Sequence, residues 1–403
     1  MSTILLPGTF DTKGDEYAFV EELIRARGHA TLTMDLGVLR DPSPATDIPA
    51  SDVARAGGST LPALREAADR GSAIDVMQRG ACALARELHA ERRFDGVLGL
   101  GGGGGTAMIS ALMRELPAGM PRVMVSTMAS GNTAPYVGIS DITLMYSVVD
   151  IAGLNPLSRR ILANAAGAVC GMLEQAAPEG AGRPLVAATM FGVTTPCVTE
   201  ARKALEQAGY DVLVFHATGT GGRAMEGLID DGWFAGVLDV TTTEWCDEVV
   251  GGVLSAGPDR LSAAGRRGIP QVVSVGALDM VNFGSADTVP ERFRDRTLHR
   301  HNASVTLMRT TPAECAEIGR RIARQLNAAA GPVVLLLPLR GVSMIDAEGQ
   351  AFHDPVADRA LFASLKEHAG PGVRIRELDA HINDPAFAQA LASELLALMA
   401  DAA

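Results

Sequence analysis

The sequence predicts an α/β protein in which mainly parallel sheets carry helices on both faces. Three observations lead there. Apolar strand-like runs alternate with amphipathic helical runs along the chain, the pattern of sheets covered on both sides. The chain also echoes itself. A strand from Ile4, a polar loop, a helical run to Ala26, Gly28 and a strand over Ala30–Met34 match a strand from Val186, a polar loop, a helical run to Ala208, Gly209 and a strand over Val212–Phe215. The echo continues in Phe94–Leu98 with Phe234–Leu238 and in Met120–Ser126 with Ile269–Val275. A weak duplication of a β-α-β-α-β unit accounts for it. Finally, 403 residues exceed the roughly 250–300 at which one hydrophobic core stops growing. Two domains are therefore expected, over 1–178 and 184–403, divided where Ala, Pro and Gly cluster between Gln175 and Arg183.

The elements follow in order. Met1–Pro7 has no basic stretch and only a short apolar run, so it reads as a first strand and not as a signal peptide. The loop Gly8–Gly14 opens the first helix, and Gly28 sits where a helix C-cap is expected. The proline-rich stretch Asp41–Pro62 is expected to be an irregular excursion, serving as a lid or as an oligomer contact. A helix over about Asp69–Ala90 follows, then a strand that runs into five consecutive glycines, with the next helix beginning near Thr106. Met108, Ile109, Leu112 and Met113 give that helix its apolar spacing. In the second half, Leu335–Leu337 reads as a buried strand, and Phe387, Leu391, Leu395 and Leu398 as the core face of a closing helix.

Composition narrows the function. The net charge of −12, with no Lys/Arg run, argues against a nucleic-acid or anionic-membrane surface. No stretch approaches the ~18 apolar residues of a membrane span. Five scattered cysteines without a C-x-x-C pair fit neither a disulfide framework nor a zinc site. A cytoplasmic protein is expected.

Ligands of parallel sheets sit beyond the carboxyl ends of the strands, so the loops after the strands are the candidates. Gly101, Gly102, Gly103, Gly104 and Gly105 lead into Thr106 at a helix N-terminus. Backbone amides and the helix dipole there suit an anion, most often phosphate; the alternative is a tight turn with nothing bound. Thr9, Asp11, Thr12 and Lys13 bring hydroxyls, a carboxylate and an ammonium to the first loop. Thr and Lys suit phosphate oxygens, while Asp11 either holds magnesium or caps the helix. The Walker A spacing is absent. Ser126, Thr127, Ser130, Gly131, Asn132 and Thr133 form a third loop, either a second phosphate or ribose contact or a turn that satisfies its own backbone. Asp141 and Asp150 lie in apolar surroundings as caps or site carboxylates.

In the second half, His216, Thr218, Gly219, Gly221 and Gly222 form another glycine-hydroxyl loop, and Thr242, Thr243 and Glu244 follow a further strand. The first group, with Thr242 and Thr243, is expected to bind a small acidic or carbonyl-bearing substrate. Glu244 is a candidate general base if a crevice desolvates it, or else a helix-start carboxylate. Cys197 and Cys246 lie near helix starts, where a thiolate is favoured. Asp279 is a further catalytic candidate, and with His299 and His301 a possible metal group. Arg340 is a candidate bidentate clamp for an anion.

Several of these segments together resemble a known family. GTFDTKGDE, LGLGGGGGT, VSTMASGNTAPYVGISDI and SVVDIAGLN in the first half, and TMFGVTTP, FHATGTGGRAME, LDVTTTE, HNASVTLMRT and LPLRGVSMID in the second, look like an uncharacterised bacterial family. That family is related to the N-terminal domain of the tomato mosaic virus resistance protein Tm-one. The resemblance covers essentially the whole chain. It implies two Rossmann-like three-layer subdomains, ATP with Mg2+ in the N-terminal one, and a homodimer. The plant protein continues into a TIM-barrel domain, so a separate TIM-barrel partner is a further expectation. LGLGGGGGTAM with MPRVMVSTMASGN is also similar to the pyrophosphate loops of iron-dependent alcohol dehydrogenases and dehydroquinate synthases, which makes an NAD(P)-dependent oxidoreductase the alternative. With ATP, the expected chemistry is phosphoryl or nucleotidyl transfer to a small metabolite, or else none, the protein serving as a nucleotide-gated module.

Overall fold

The computed structural model describes residues 1–41, 45–176 and 182–402. The chain divides into two units, Met1–Glu179 and Gly180–Ala403. The domain edge expected at 178 lies outside the described residues.

The first unit runs β1 (Thr3–Gly8), α1 (Phe10–Ala26), β2 (Ala30–Asp35), α2 (Ala50–Ala56), α3 (Leu61–Ala67), α4 (Arg70–Ala90), β3 (Gly96–Gly101), α5 (Gly103–Arg114), β4 (Arg122–Ser126), α6 (Ala134–Val137), β5 (Thr143–Tyr146) and α7 (Pro156–Glu174). Its sheet is parallel, in the order β2-β1-β3-β4-β5. Alternate residues face opposite layers. Leu5, Val97 and Met124 pack under α2–α5. Ile4, Leu6, Leu98, Val123 and Val125 pack on α1 and α7.

The stretch expected to be irregular contains one helix, α2, and the start of another, α3. Its prolines do not break them, because Pro49 is the N-cap of α2 and Pro62 lies in the first turn of α3, where no intrahelical N–H is needed. Residues 42–44 of that stretch lie outside the described ones. The helix expected over Asp69–Ala90 is α4, with the Asp69 side chain accepting from the Gly71 amide.

The second unit runs β6 (Leu185–Met190), α8 (Thr195–Gln207), β7 (Asp211–His216), α9 (Thr220–Asp230), β8 (Gly236–Thr241), α10 (Glu244–Val250), α11 (Ala263–Arg267), β9 (Gln271–Gly276), β10 (Met280–Phe283), β11 (Leu298–Arg300), β12 (Thr306–Arg309), α12 (Pro312–Asn327), β13 (Val333–Pro338), α13 (Pro355–His368), β14 (Val373–Leu378) and α14 (Pro385–Ala402). Its main sheet is parallel in the order β14-β13-β9-β8-β6-β7. Leu335 and Val273 face α12 and α13; Val186, Leu238 and Leu336 face α8 and α14. A small antiparallel sheet, β10-β12-β11, follows β9.

The strand registers carry the duplication. Leu5 pairs with Val97 as Ala187 pairs with Val237, and Val97 pairs with Arg122 as Val237 pairs with Gln271. The two sheets thus share the order second-first-third-fourth, and Gly101 and Thr241 end equivalent strands.

Candidate functional site

In the shared strand order the chain leaves β1 and β3 toward opposite faces, so the sheet opens between their carboxyl ends. In the first unit the β1–β3 ladder ends at Leu5–Val97. Beyond it the Tyr17 hydroxyl bridges the gap, donating to the Pro7 carbonyl at 2.5 Å and accepting from the Leu100 amide at 2.8 Å. Burial raises the Tyr17 pKa well above its usual value, so the phenol stays protonated.

Helix α5 begins at Gly103, three residues earlier than expected, with Gly102 as N-cap and no side chain capping it. Gly103, Gly104 and Gly105 therefore form the first turn, whose amides have no intrahelical acceptor. Thr106 is buried in the second turn, bonded to Ser126 Oγ at 2.6 Å. A Cβ on Gly101 would meet the Gly105 and Thr106 backbone at 2.8 Å, so only glycine lets the helix start this close to the strand.

These amides open on a cavity of about 690 Å³. Thr9, Asp11, Thr12, Lys13 and Gly102–Gly105 line it from the loops after β1 and β3, and Leu36–Leu39 from the loop after β2. Leu64, Ala73, Ile74 and Met77, from α3 and α4, join Met108 in an apolar wall. The lining comes from residues on either side of the proline-rich stretch, Leu36–Leu39 before it and Leu64 onward after it, and includes none of Asp41–Pro62 itself.

Asp11 is buried, at 3% exposure. Its Oδ2 accepts from the Leu39 amide at 2.9 Å, and its Oδ1 has no partner. Thr12 Oγ1 bonds Thr9 Oγ1, and Lys13 Nζ donates to the Ile151 carbonyl at 2.6 Å. Asp35, at the end of β2, accepts from the Phe10 and Gly37 amides. Burial pushes its pKa up to about 6.

The third expected loop lies apart from the cavity lining. Ser126 is buried and supports Thr106, while Thr127 lies beside Gly102. Ser130, Gly131 and Asn132 are exposed on a turn and Thr133 is half-buried next to it; Asn132 accepts from the Ala134 amide. Of the two aspartates left open, Asp141 pairs with the buried Arg122 and Asp150 is exposed.

The second unit corrects most of the expectations placed on it. Glu244 is fully buried. Its carboxylate accepts from the Gly219 and Gly222 amides at 2.7 and 3.1 Å and pairs with Arg260 Nε at 2.6 Å. The anion cradle at the start of α9 is therefore filled by the protein's own carboxylate, and Glu244 is engaged as a structural group instead of standing free as a base. A Cβ on Gly222 would lie 2.4 Å from the Glu244 oxygens. Thr242 and Thr243 are buried and donate to the Ser274 and Met280 carbonyls. His216 is exposed against Phe191, Thr218 bonds the His216 carbonyl, and Gly221 packs on the His216 backbone. The loop's Gly219 and Gly222 amides are thus taken up by Glu244.

Arg340 is on the surface, already forked onto Asp379 through two bonds of 2.8 Å. Asp279 is buried, accepts from Ser343 Oγ at 2.7 Å, and has its pKa raised to about 7 by burial and by Asp346. Among the described residues no group of His, Cys, Asp and Glu is arranged to hold a metal. This overturns the Asp279, His299 and His301 grouping. Cys197 and Cys246 are fully buried, and burial pushes the Cys197 thiol up to about 12 and that of Cys246 well above its ordinary value, which opposes the thiolate expected at a helix start. Among the described residues no helix is long and apolar enough to cross a membrane.

Sequence reasoning missed Arg70, which also lines the cavity, because it lies far along the chain from the glycine run. Its place at the first residue after the Asp69 cap was the available signal.

Residues 2–178 match the N-terminal domain of the uncharacterised protein family UPF0261, and residues 183–399 its C-terminal domain. A UPF0261 protein of Clostridium tetani (strain Massachusetts / E88) is 53% identical over 98% of this chain and 98% of its own length. The ToMV resistance protein Tm-1(GCR237) of Solanum lycopersicum is 42% identical over 96% of this chain and 55% of its own length. A solved C2-type ketoreductase from a modular polyketide synthase aligns over 93% of this chain at 12% identity and a TM-score of 0.22, too distant to carry an argument.

Proposed function

We propose, from the premise that this chain belongs to the uncharacterised protein family UPF0261, that its first unit binds a nucleoside triphosphate, ATP with magnesium, in the cavity between the ends of β1 and β3. The uncapped N-terminus of α5, opening into a roomy cavity with an apolar wall, carries this reading. Phosphate suits the amides, and a flat base suits the wall of Ile74, Met77 and Met108. Magnesium is commonly held by one or two carboxylates together with substrate phosphates. The unpartnered Asp11 Oδ1 fits that pattern.

The alternative dinucleotide reading is weaker. A Rossmann dinucleotide site places its glycine loop after the first strand and an acidic ribose ligand at the end of the second. Here the glycines follow β3, and Asp35, which accepts the Phe10 and Gly37 amides on Oδ1, is not among the residues that line the cavity. The groups expected to do chemistry in the second unit are engaged internally, so nucleotide binding without an assigned reaction is the reading advanced. A cytoplasmic homodimer, with or without a TIM-barrel partner, belongs to the same proposal.

Calorimetric titration of the full chain with ATP and magnesium tests it. Saturable binding at one site per chain is expected, with ADP or AMP release marking an enzyme. Binding of NADPH in preference to ATP overturns it.

A further inference from the structure

We propose that Arg70 is the residue that clamps the anionic group of the ligand in the first unit's cavity, so that the site discriminates by phosphate charge. The inference rests on the nucleotide reading. Three cationic side chains line the cavity: Lys13, Arg65 and Arg70. Lys13 is held by the Ile151 carbonyl at 2.6 Å. Arg65 donates to the Val38 carbonyl and pairs with Asp41, both at 2.7 Å. The Arg70 side chain makes no hydrogen bond or ion pair among the described residues.

Its position gives that freedom a use. A Cβ built on Gly104 would lie 3.9 Å from Arg70 Nη2, so the guanidinium hangs beside the first turn of α5 and its unsatisfied amides. Asp69, the neighbouring carboxylate, accepts from the Gly71 amide as the cap of α4. The backbone sets the placement. Ala68 closes α3 in the left-handed region at φ 51°, a conformation strained for a residue with a Cβ. That turn starts α4 at Arg70, at the edge of the cavity. Opposite in sign, the buried Asp11 Oδ1 is an acceptor with no partner in the lining of the same cavity. A cavity with both an idle guanidinium and an idle buried carboxylate oxygen is completed by a ligand that carries an anion and either a hydrogen-bond donor or a cation. A planar guanidinium fork matches phosphate oxygens in pairs.

The test is titration of the full-length wild type, Arg70→Met and Arg70→Lys with ATP, inorganic pyrophosphate and adenosine, the weak ligands by competition against ATP. Arg70→Met is expected to weaken ATP and pyrophosphate by roughly 10- to 100-fold and to leave adenosine unchanged. Arg70→Lys is expected to fall between, since an ammonium restores charge without the fork. Unaltered circular dichroism is expected, because Arg70 is exposed and supports nothing. ATP affinity in Arg70→Met within twofold of a wild type that binds ATP would overturn the clamp and leave the nucleotide reading standing. Equal losses for ATP and adenosine would also overturn it, by showing a structural role. A wild type that binds neither ATP nor pyrophosphate would remove both proposals.

Discussion

Glu244 and Arg260 form a fully buried ion pair at 2.6 Å, in the place where the first unit has a cavity. By strand register Glu244 stands where Gly104 stands, three residues beyond the end of the third strand in each unit. One half of the duplication keeps glycine and an opening. The other half fills the space with a carboxylate that caps the α9 amides and a guanidinium that also pairs with Asp239 and Glu226. Burial opposes the charge on Arg260, but Asp239, Glu244 and Glu226 outweigh it and raise its pKa well above the ordinary arginine value. Removing the cation strands three carboxylates. Arg260→Leu is expected to destabilise the second unit by about 3–5 kcal/mol. Glu244→Gln, which keeps an acceptor for Gly219, should cost less. Both tryptophans, Trp233 and Trp245, lie in this unit, so urea denaturation followed by tryptophan fluorescence reads it separately. A loss under 1 kcal/mol for Arg260→Leu would contradict the structural assignment.

The glycine turn offers a cleaner separation of binding from folding. Nothing lies within 4 Å of a Cβ on Gly103, so Gly103→Val fits the fold without a helix-propensity penalty, since valine ranks above glycine. Its side chain would crowd the amides at the start of α5. ATP affinity is expected to drop at least about tenfold, the cost of losing one charge-assisted contact, with the circular dichroism unchanged. Wild-type affinity in a folded Gly103→Val protein would place the ligand elsewhere.

Why the sequence anticipated the first unit's cavity lining better than the second unit's internal packing follows from these residues. The alternation of strands and helices, and the echo between halves, are properties of the chain itself, so two mainly parallel sheets covered by helices could be anticipated. The glycine run was legible because what it does in the fold, starting α5 close against β3 with no side chain over the first turn, lies in the backbone, and glycine looks the same in sequence and structure. Glu244, Thr242 and Thr243 misled because hydroxyls and carboxylates after a strand suit a ligand and an internal network equally. Only the position of Arg260, sixteen residues on, decides between them. Arg70 and Asp35 reach their places through the fold, across separations that no local pattern encodes. Pro49 and Pro62 read as loop markers because proline at a helix start and proline in a loop are the same letter.

Stability should depend on pH in a direction set by burial. Desolvation raises Asp279 and Asp247 to about 7, with Asp346 adding to the effect on Asp279 and Asn282 opposing it on Asp247. In the unfolded chain both titrate near 3.8. Between about pH 4 and 7 the folded state therefore holds protons that the unfolded state has released. Their contribution is complete below pH 4 and is lost as pH rises through 7, at up to about 1.4 kcal/mol per pH unit for each group. The urea midpoint of the second unit, read by tryptophan fluorescence, is expected to fall from pH 5 to pH 7.5. Asp279→Asn, neutral at every pH, should flatten the slope. A midpoint that rises over this range would show that these carboxyls are ionised in the folded protein.

The Tyr17 hydroxyl tests whether the opening between β1 and β3 depends on one bond. It stands in for the ladder beyond Leu5–Val97, holding the Pro7 carbonyl and the Leu100 amide from the two diverging strands. Both strand ends are buried, so water is poorly placed to replace it. Tyr17→Phe keeps the ring, including its stacking on Phe10 at 4.5 Å, and leaves the Leu100 N–H without its acceptor. An orphaned buried donor costs about 1–3 kcal/mol, and the loss should fall on the first unit. Differential scanning calorimetry is expected to show that unit's transition moving down, with the second unit's unchanged by tryptophan fluorescence. Because the bond pins β3 just ahead of Gly101, ATP affinity should weaken along with stability. Loss of stability with unchanged affinity would show that α5 holds the ligand independently of the strand that leads into it.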